Sequence, residues 1–153
     1  MTNLENKIPP PLVMLMFGAL MWGMSFIGPE FSDGQLTTTV LAPVLFLLGL
    51  GVSLAGVYQF RKSATTVNPL RPDKASSLVT GGVFRFTRNP MYLGMLMWLL
   101  AWSLFLNAWT SLLGILLFFF FITRFQIEPE ERAMRGLFGT EFELYQSEVR
   151  RWI

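Results

Sequence analysis

Residues 91–122, MYLGMLMWLLAWSLFLNAWTSLLGILLFFFFI, run without a single charged side chain. A membrane-crossing helix takes about 20 residues, so this stretch is too long for one ordinary span. Asn107 is its main polar interruption, and folding back at Leu106-Asn107-Ala108 makes a tight hairpin of two helices. Arg124 then snorkels at the far end of the second helix. Two further uncharged runs precede this one. Residues 12–27 (LVMLMFGALMWGMSFI) end at Gly28-Pro29, and residues 36–60 stop at Arg61-Lys62. The expected architecture is all-α, a polytopic membrane protein of about four transmembrane helices. Their approximate spans are residues 12–28, 36–60, 90–106 and 108–126, within one domain covering residues 1–153. Residues 61–89 and 127–153 are expected as cytoplasmic segments, the second holding a C-terminal amphipathic helix.

Composition points the same way. Of the 153 residues, 52% are hydrophobic and 14% charged, against roughly 25% charged in a soluble domain. That is too few polar groups to clothe a water-facing shell. A cleaved signal peptide fits the first run poorly, because only Lys7 precedes it and no small-residue cleavage site follows. The chain has no Cys and no His. Disulfides, thiol nucleophiles, imidazole bases and Cys- or His-built metal sites are therefore excluded, and no metal is expected. Any chemistry must use carboxylates, Arg, Lys, Tyr, hydroxyls, backbone groups or a cofactor.

The charges test the topology independently. One side carries Lys7, Arg61, Lys62, Arg71, Lys74, Arg85, Arg88, Arg124, Arg132, Arg135, Arg150 and Arg151, which are all 12 cations of the chain. The other side holds the loop around Glu30 and Asp33 and the hairpin tip. The positive-inside rule then puts both termini and the middle loop in the cytoplasm. The same bias, with attraction to anionic headgroups, explains the net charge of +2 without nucleic-acid binding. Apart from Arg124 at the far end of the fourth, no Asp, Glu, Lys or Arg lies within the spans, which counts against a small transporter. Gly49-Leu50-Gly51 and Gly56 offer a small-residue surface for close helix packing within the chain.

Two cytoplasmic segments carry the information about function. The middle loop holds Asn68-Pro69, Arg71-Pro72, Gly81-Gly82 and Asn89-Pro90, too many turn formers for a long helix. In the tail, Met134, Leu137, Phe138, Phe142, Tyr145, Val149 and Trp152 recur at three- and four-residue steps, with a break near Gly139. Its polar side offers Glu128/Arg132 and Glu131/Arg135 as i,i+4 pairs. Such a helix lies on the membrane surface or over the middle loop.

Residues 76–94 read SSLVTGGVFRFTRNPMYLG. Asn89 suits an N-cap and Pro90 a first helical position, with arginines marking the membrane boundary. The same helix start can instead hold a carboxylate or phosphate, reinforced by Arg85 and Arg88, with Phe84 and Tyr92 flanking a flat ring. Glu128-Pro129-Glu130-Glu131-Arg132 is similarly open: acidic residues and Pro complement a helix start, and three carboxylates can also bind a cationic ligand.

SSLVTGGVFRFTRNPMYLG, followed some forty residues later by EPEERAMRGLFGTEFELYQSEVRRW, resembles the membrane methyltransferases of the isoprenylcysteine carboxyl methyltransferase family. That family includes phospholipid-methyltransferase-like bacterial proteins, and Thr65-Thr66-Val67-Asn68-Pro69 is similar to the bacterial branch. The likeness runs from Thr65 to Trp152; the first two helices match only in hydrophobicity. It implies a bacterial inner-membrane enzyme using S-adenosylmethionine and releasing S-adenosylhomocysteine, with a membrane lipid or lipophilic small molecule as acceptor. It also implies that Ser76, Ser77, Leu78, Val79, Phe84, Asn89, Pro90, Met91, Tyr92 and Glu130 line the cofactor. Leu78 and Val79 would read the adenine edge through their backbone, Asn89 and Tyr92 would hold the methionine end, and Glu130 the ammonium or ribose. Where prenylcysteine enzymes carry an Arg that holds the substrate carboxylate, this chain has Gln126, with Arg124 two residues earlier; both are substrate-binding candidates. His and Tyr are usual in those enzymes at the Asn89 and Phe84 positions.

Methyl transfer from a sulfonium is an in-line displacement, so alignment and water exclusion suffice. A carboxylate or thiolate acceptor needs no base. An amine must arrive neutral, and Glu128, Glu130 or Glu131 can take its proton. Glu130 and Arg124 are the catalytic candidates. The competing expectation is a non-catalytic four-helix membrane protein, an adaptor or degenerate family member.

Overall fold

The computed structural model describes residues 5–31, 36–63 and 76–153, and among them all regular structure is helical. Asp33, Thr65 to Pro69, Arg71-Pro72 and Lys74, to which the sequence drew attention, lie outside the described residues. The first apolar run forms α1, Pro10–Ser25, two residues earlier than expected. Pro10 and Pro11 occupy its opening turn, where a missing N–H and a fixed φ cost nothing. The second run gives a π-helical turn, Thr37–Leu41, leading into α2, Ala42–Lys62. The third gives α3, Pro90–Leu106, and α4, Ser111–Ile122. Asn107 ends α3 in the left-handed region at φ 51°, a conformation that a short polar side chain tolerates.

The turn between α3 and α4 takes residues 107–110, so α4 starts later than the expected 108. The hydroxyls of Ser103 and Ser111 bond to each other in its buried neck.

A larger correction concerns the far end of α4. The sequence puts a span over about 108–126 and reads Glu128-Pro129 as the first turn of a separate tail helix. The helix instead continues through a π-helical turn, Thr123–Ile127, directly into α5, Glu128–Phe138. Pro129 explains the widened turn: its ring clashes with the carbonyl four residues back, at Phe125, and it offers that carbonyl no N–H. Pro43 stands in the same relation to the π turn before α2. The freed Phe125 carbonyl accepts the Asn6 N–H at 3.1 Å. The break at Gly139 is present (φ 51°), and α6, Thr140–Glu148, follows it.

Helices α1 to α4 alternate in direction. Met24 O meets Thr110 at one end, where Glu30 also pairs with Ala108. Asn6 meets Phe125 at the other end, which gathers every described Lys and Arg. α3 is central: it packs against α1, α2 and α4, and α1 closes against α4. Val13, Met21, Leu99, Phe118 and Ile122 fill the core between α1, α3 and α4. The outward faces are apolar as well. Leu15, Leu47, Leu54, Leu116 and Phe120 are each more than half exposed. Two helical runs, Thr38–Lys62 and Ser111–Phe138, are long and apolar enough to cross a membrane; Pro10–Ser25 and Pro90–Leu106 are apolar but shorter.

The α2–α3 seam depends on missing side chains. A Cβ on Gly49 would lie 2.9 Å from the Gly94 carbonyl oxygen and 2.9 Å from the Trp98 ring, while Gly51 faces open space. Of the expected small-residue surface, Gly49 and Gly56 therefore face α3 and Gly51 does not. Gly49→Ala is expected to lower stability by about 1–3 kcal/mol through overpacking. Gly51→Ala should be neutral or slightly stabilising. Equilibrium unfolding of the two variants in mixed micelles checks this, and equal effects would refute the seam.

Candidate active site

Three elements converge at the basic end: the loop before α3, the α4–α5 junction, and residues 149–152 after α6. The loop turns through a short 3-10 helix, Gly82–Arg85, whose Gly82 has φ +61° and lies so close to Gln59 that a Cβ would collide with it. This turn drives Phe84 inward, edge-on to Phe60 at 5.2 Å. Val79, Phe84, Phe142, Tyr145 and Val149 then form a second core, with Leu78, Met134 and Phe138 against it. The tail helices thus fold over the middle loop. Tyr145 donates its hydroxyl to the Phe84 carbonyl at 2.7 Å, and burial pushes its phenol up, against a smaller lowering by Arg88.

The opening of α3 carries the other cluster. The Tyr92 hydroxyl donates to Glu130 Oε1, joining α3 to α5. Glu130 lies beyond the apolar part of the α4–α5 run. Burial raises its carboxyl from 4.5 to about 8, against the lowering by the Tyr92 hydrogen bond, and the neighbouring Glu131 charge adds to the rise. A carboxyl poised near neutrality beside a phenol can hold an ammonium group when ionised or accept a proton.

Beside it stands an ion cluster that the sequence did not disclose. Buried Glu131 accepts Arg151 Nε at 3.0 Å and Nη2 at 2.7 Å, and Arg88 Nη2 at 2.9 Å. The hydrogen bond to Glu131 is the main reason that the Arg151 guanidinium holds its proton more tightly than usual. Arg88 also reaches the Gln146 carbonyl at 3.1 Å. This overturns two expectations. Glu131 does not pair with Arg135, nor Glu128 with Arg132. Glu128 meets Arg124, Arg132 meets Glu5, and Arg135 reaches Gln146. Arg88 spends Nη1 and Nη2 on these contacts, and its Nε is buried without a hydrogen-bond partner.

Asn89 occupies the N-cap position of α3 without a side-chain capping bond. Its Nδ2 donates instead to the Arg151 carbonyl at 2.9 Å, and Thr87 Oγ1 accepts the Asn89 N–H at 3.1 Å. The Arg88 N–H completes the strap by donating to Arg150 O at 3.1 Å. Asn89 thus anchors the tail. Beyond it, Trp152 stacks on Phe119 of α4 at 4.9 Å.

The remaining sequence candidates scatter. Ser76 is exposed, and Ser77 donates to the Ser63 carbonyl. Pro90 and Met91 face Gly56 in the α2–α3 seam. Leu78, Val79 and Phe84 belong to the loop–tail core. Gln126 is fully buried, donating Nε2 to the Ile8 carbonyl at 2.7 Å. Arg124, half exposed, spends its head on Glu128 at 2.9 Å and faces Glu5 at 3.8 Å. The structure therefore brings together Tyr92, Glu130 and the tail-anchoring Asn89, and leaves Arg124 at the rim.

A carboxylate–phenol pair thus sits at the basic end of a helical bundle with two runs long and apolar enough to cross a membrane. The phospholipid methyltransferase family model matches residues 37–141, well over half of the chain, and the chain belongs to that family. It is 29% identical over 125 residues to protein-S-isoprenylcysteine O-methyltransferase of Schizosaccharomyces pombe, covering 79% of this chain and 52% of that one. A probable protein-S-isoprenylcysteine O-methyltransferase of Oryza sativa subsp. indica is 29% identical over 107 residues, 69% of this chain and 56% of that one. An uncharacterized protein of Haemophilus influenzae is 43% identical over 63 residues, which is 41% of this chain and that protein's whole length. The chain spans about half the length of the two methyltransferase relatives. No solved structure matches it.

Proposed function

We propose that this chain is an integral membrane methyltransferase that uses S-adenosylmethionine to methylate a lipidic or small amphipathic acceptor at a carboxylate, amine or thiol. The Tyr92–Glu130 pair carries the proposal, because it sets an ionisable acidic group against an aromatic hydroxyl within the family-matched segment. This donor set fits the cofactor: Glu130 would take the ammonium of its methionine end, and Tyr92 would hold the carboxylate of Glu130 in place. S-adenosylmethionine supplies a methyl group already activated by its sulfonium. The protein's part is alignment and exclusion of water, to which the tail strap over α3 contributes. For an amine acceptor, Glu130 Oε can also receive the proton that must leave.

In this reading all four long apolar helices cross a bacterial inner membrane, α1 and α3 as short spans accommodated by local thinning. Both termini lie at the cytoplasmic face with the described cations. The apolar outward faces of α2 and α4 support this, since lipid is the solvent that suits them.

Calorimetry with S-adenosylhomocysteine on the intact, purified protein tests the cofactor assignment. Saturable binding is expected, and Tyr92→Phe should weaken it about tenfold, the worth of one hydrogen bond to a charged group. Absence of binding by folded protein in lipid would instead favour a non-catalytic four-helix family member.

A further inference from the structure

Along the seam between α1 and α3 the surface falls away into a groove of about 370 Å³, lined by Met14, Gly18 and Trp22 of α1 and by Trp98, Leu99 and Trp102 of α3. That is a volume which small ligands occupy. Its walls are fixed. Trp98 donates its indole N–H to the Phe46 carbonyl at 3.1 Å, and Trp102 donates to the Gly18 carbonyl at 3.0 Å. Phe46 stacks on Trp98 and Phe105 on Trp102, with interplanar angles of 26° and 13°. With both N–H groups satisfied, the indoles ask nothing polar of an occupant, and the other lining residues are apolar.

Gly18 keeps the groove open. A Cβ there would meet only Leu99 Cδ2, at 3.8 Å, an ordinary contact. Glycine within a helix is unfavourable relative to alanine, and no close approach requires it here, unlike Gly49 in the α2–α3 seam. What the groove holds explains the missing side chain. The eight residue steps from Met14 to Trp22 rise roughly 12 Å, so the groove averages about 30 Å² in section, against ~80 Å² for a helix 10 Å across. It admits a hydrocarbon chain and not a helix of a second protein. The groove is continuous with Leu15 and Trp22, each more than half exposed, on the outward surface for which lipid is the fitting solvent. Lys7, exposed just before α1, stands at the basic end of the same helix.

We propose that the α1–α3 groove binds one acyl chain of an anionic phospholipid from the leaflet at the basic end, with its phosphate drawn to Lys7. This rests on the bilayer placement given above and is independent of methyl transfer. Burial of the chain against the indoles holds the lipid, and Lys7 supplies the preference for negative charge. Phosphatidylglycerol, the probe used below, carries no amine, carboxylate or thiol, so its retention is separate from methylation. The lipid is a resident of the fold, not the acceptor.

Native mass spectrometry of the full chain, released from nanodiscs of equal phosphatidylglycerol and phosphatidylcholine with matched chains, tests the site. Wild type is expected to retain one phosphatidylglycerol about fivefold more often than phosphatidylcholine, the effect of one cation at headgroup level. Lys7→Gln should remove that preference. Gly18→Leu, which fills the groove, should abolish retention. Gly18→Ala serves if the leucine variant fails to fold; it should lessen retention while raising the melting temperature in lipid-free detergent. The site is refuted if wild type keeps neither lipid or both equally, if Lys7→Gln keeps the preference, or if the Gly18 variants retain lipid as wild type does. A chain that stays dispersed in buffer without detergent or lipid overturns the bilayer placement itself. One that enters nanodiscs and keeps no lipid overturns the groove alone.

Discussion

Glu130→Gln is expected to weaken S-adenosylhomocysteine binding about a hundredfold at pH 8, as removal of one partner from a buried charge pair does. The wild-type protein should also show a steep pH dependence that the variant lacks. Burial first, and the Glu131 charge less, lift the Glu130 carboxyl to about 8 against the Tyr92 hydrogen bond. Below that pH the group carries a proton that must be lost before it can face an ammonium. Wild-type affinity should therefore fall about tenfold per pH unit from pH 8 to pH 6, with a proton released on binding near pH 7. Calorimetry in buffers of different ionisation enthalpy reads that proton directly, and a flat wild-type profile would remove Glu130 from the ammonium site. Stability carries the opposite sign. A carboxyl whose native value is raised binds more protons folded than unfolded, so its contribution is full below pH 4.5 and is lost as pH rises toward 8. Relative to Glu130→Gln, the wild type should become less stable across that window.

Glu131→Ala should be the most damaging change to the tail. It leaves Arg88 and Arg151 facing one another without the carboxylate that both contact. Breaking such a pair at mostly buried side chains costs about 3 kcal/mol. The strap carrying Trp152 should then separate from α3. Limited proteolysis near Arg150 and Arg151 and thermal unfolding measure this together. Asn89→Ala removes one bond to the Arg151 carbonyl and should cost about 1 kcal/mol. If Glu131→Ala were no worse than Asn89→Ala, the ion cluster would not be what fastens the tail.

The parts of the fold legible in the sequence are those set by short-range signals. Apolar runs located all four long helices to within a few residues, and Asn107 and Gly139 marked turns where the backbone takes a positive φ. The continuous passage from α4 to α5 was missed because Glu128-Pro129 looks like a helix start. A proline one turn beyond a strongly helical stretch is equally compatible with a widened turn, and Pro43 in α2 offered the same hint. Charge partners were misassigned for a different reason. Residues four apart can always pair on paper, whereas Glu131 found Arg88 and Arg151 through contacts 43 and 20 residues away. At the site, Tyr92 and Glu130 were both named, but their pairing depends on how α3 and α5 cross. Phe84 reads as a candidate ring for a ligand, and its place in the loop–tail core depends on how α6 folds back over the loop.

The α4–α5 junction is held by residues 5–8, from far upstream in the chain. Asn6 satisfies the carbonyl that Pro129 leaves open, Ile8 holds Gln126, and Glu5 lies between Arg124 and Arg132. Residues 5–8 leave the ribosome long before residues 124–132 exist, so they wait unpaired while the helices between are made. Contacts this distant in sequence form late because loop closure must come first. Residues 5–8 are thus among the last to settle, acting as a clasp that shuts only once residues 124–132 have been threaded.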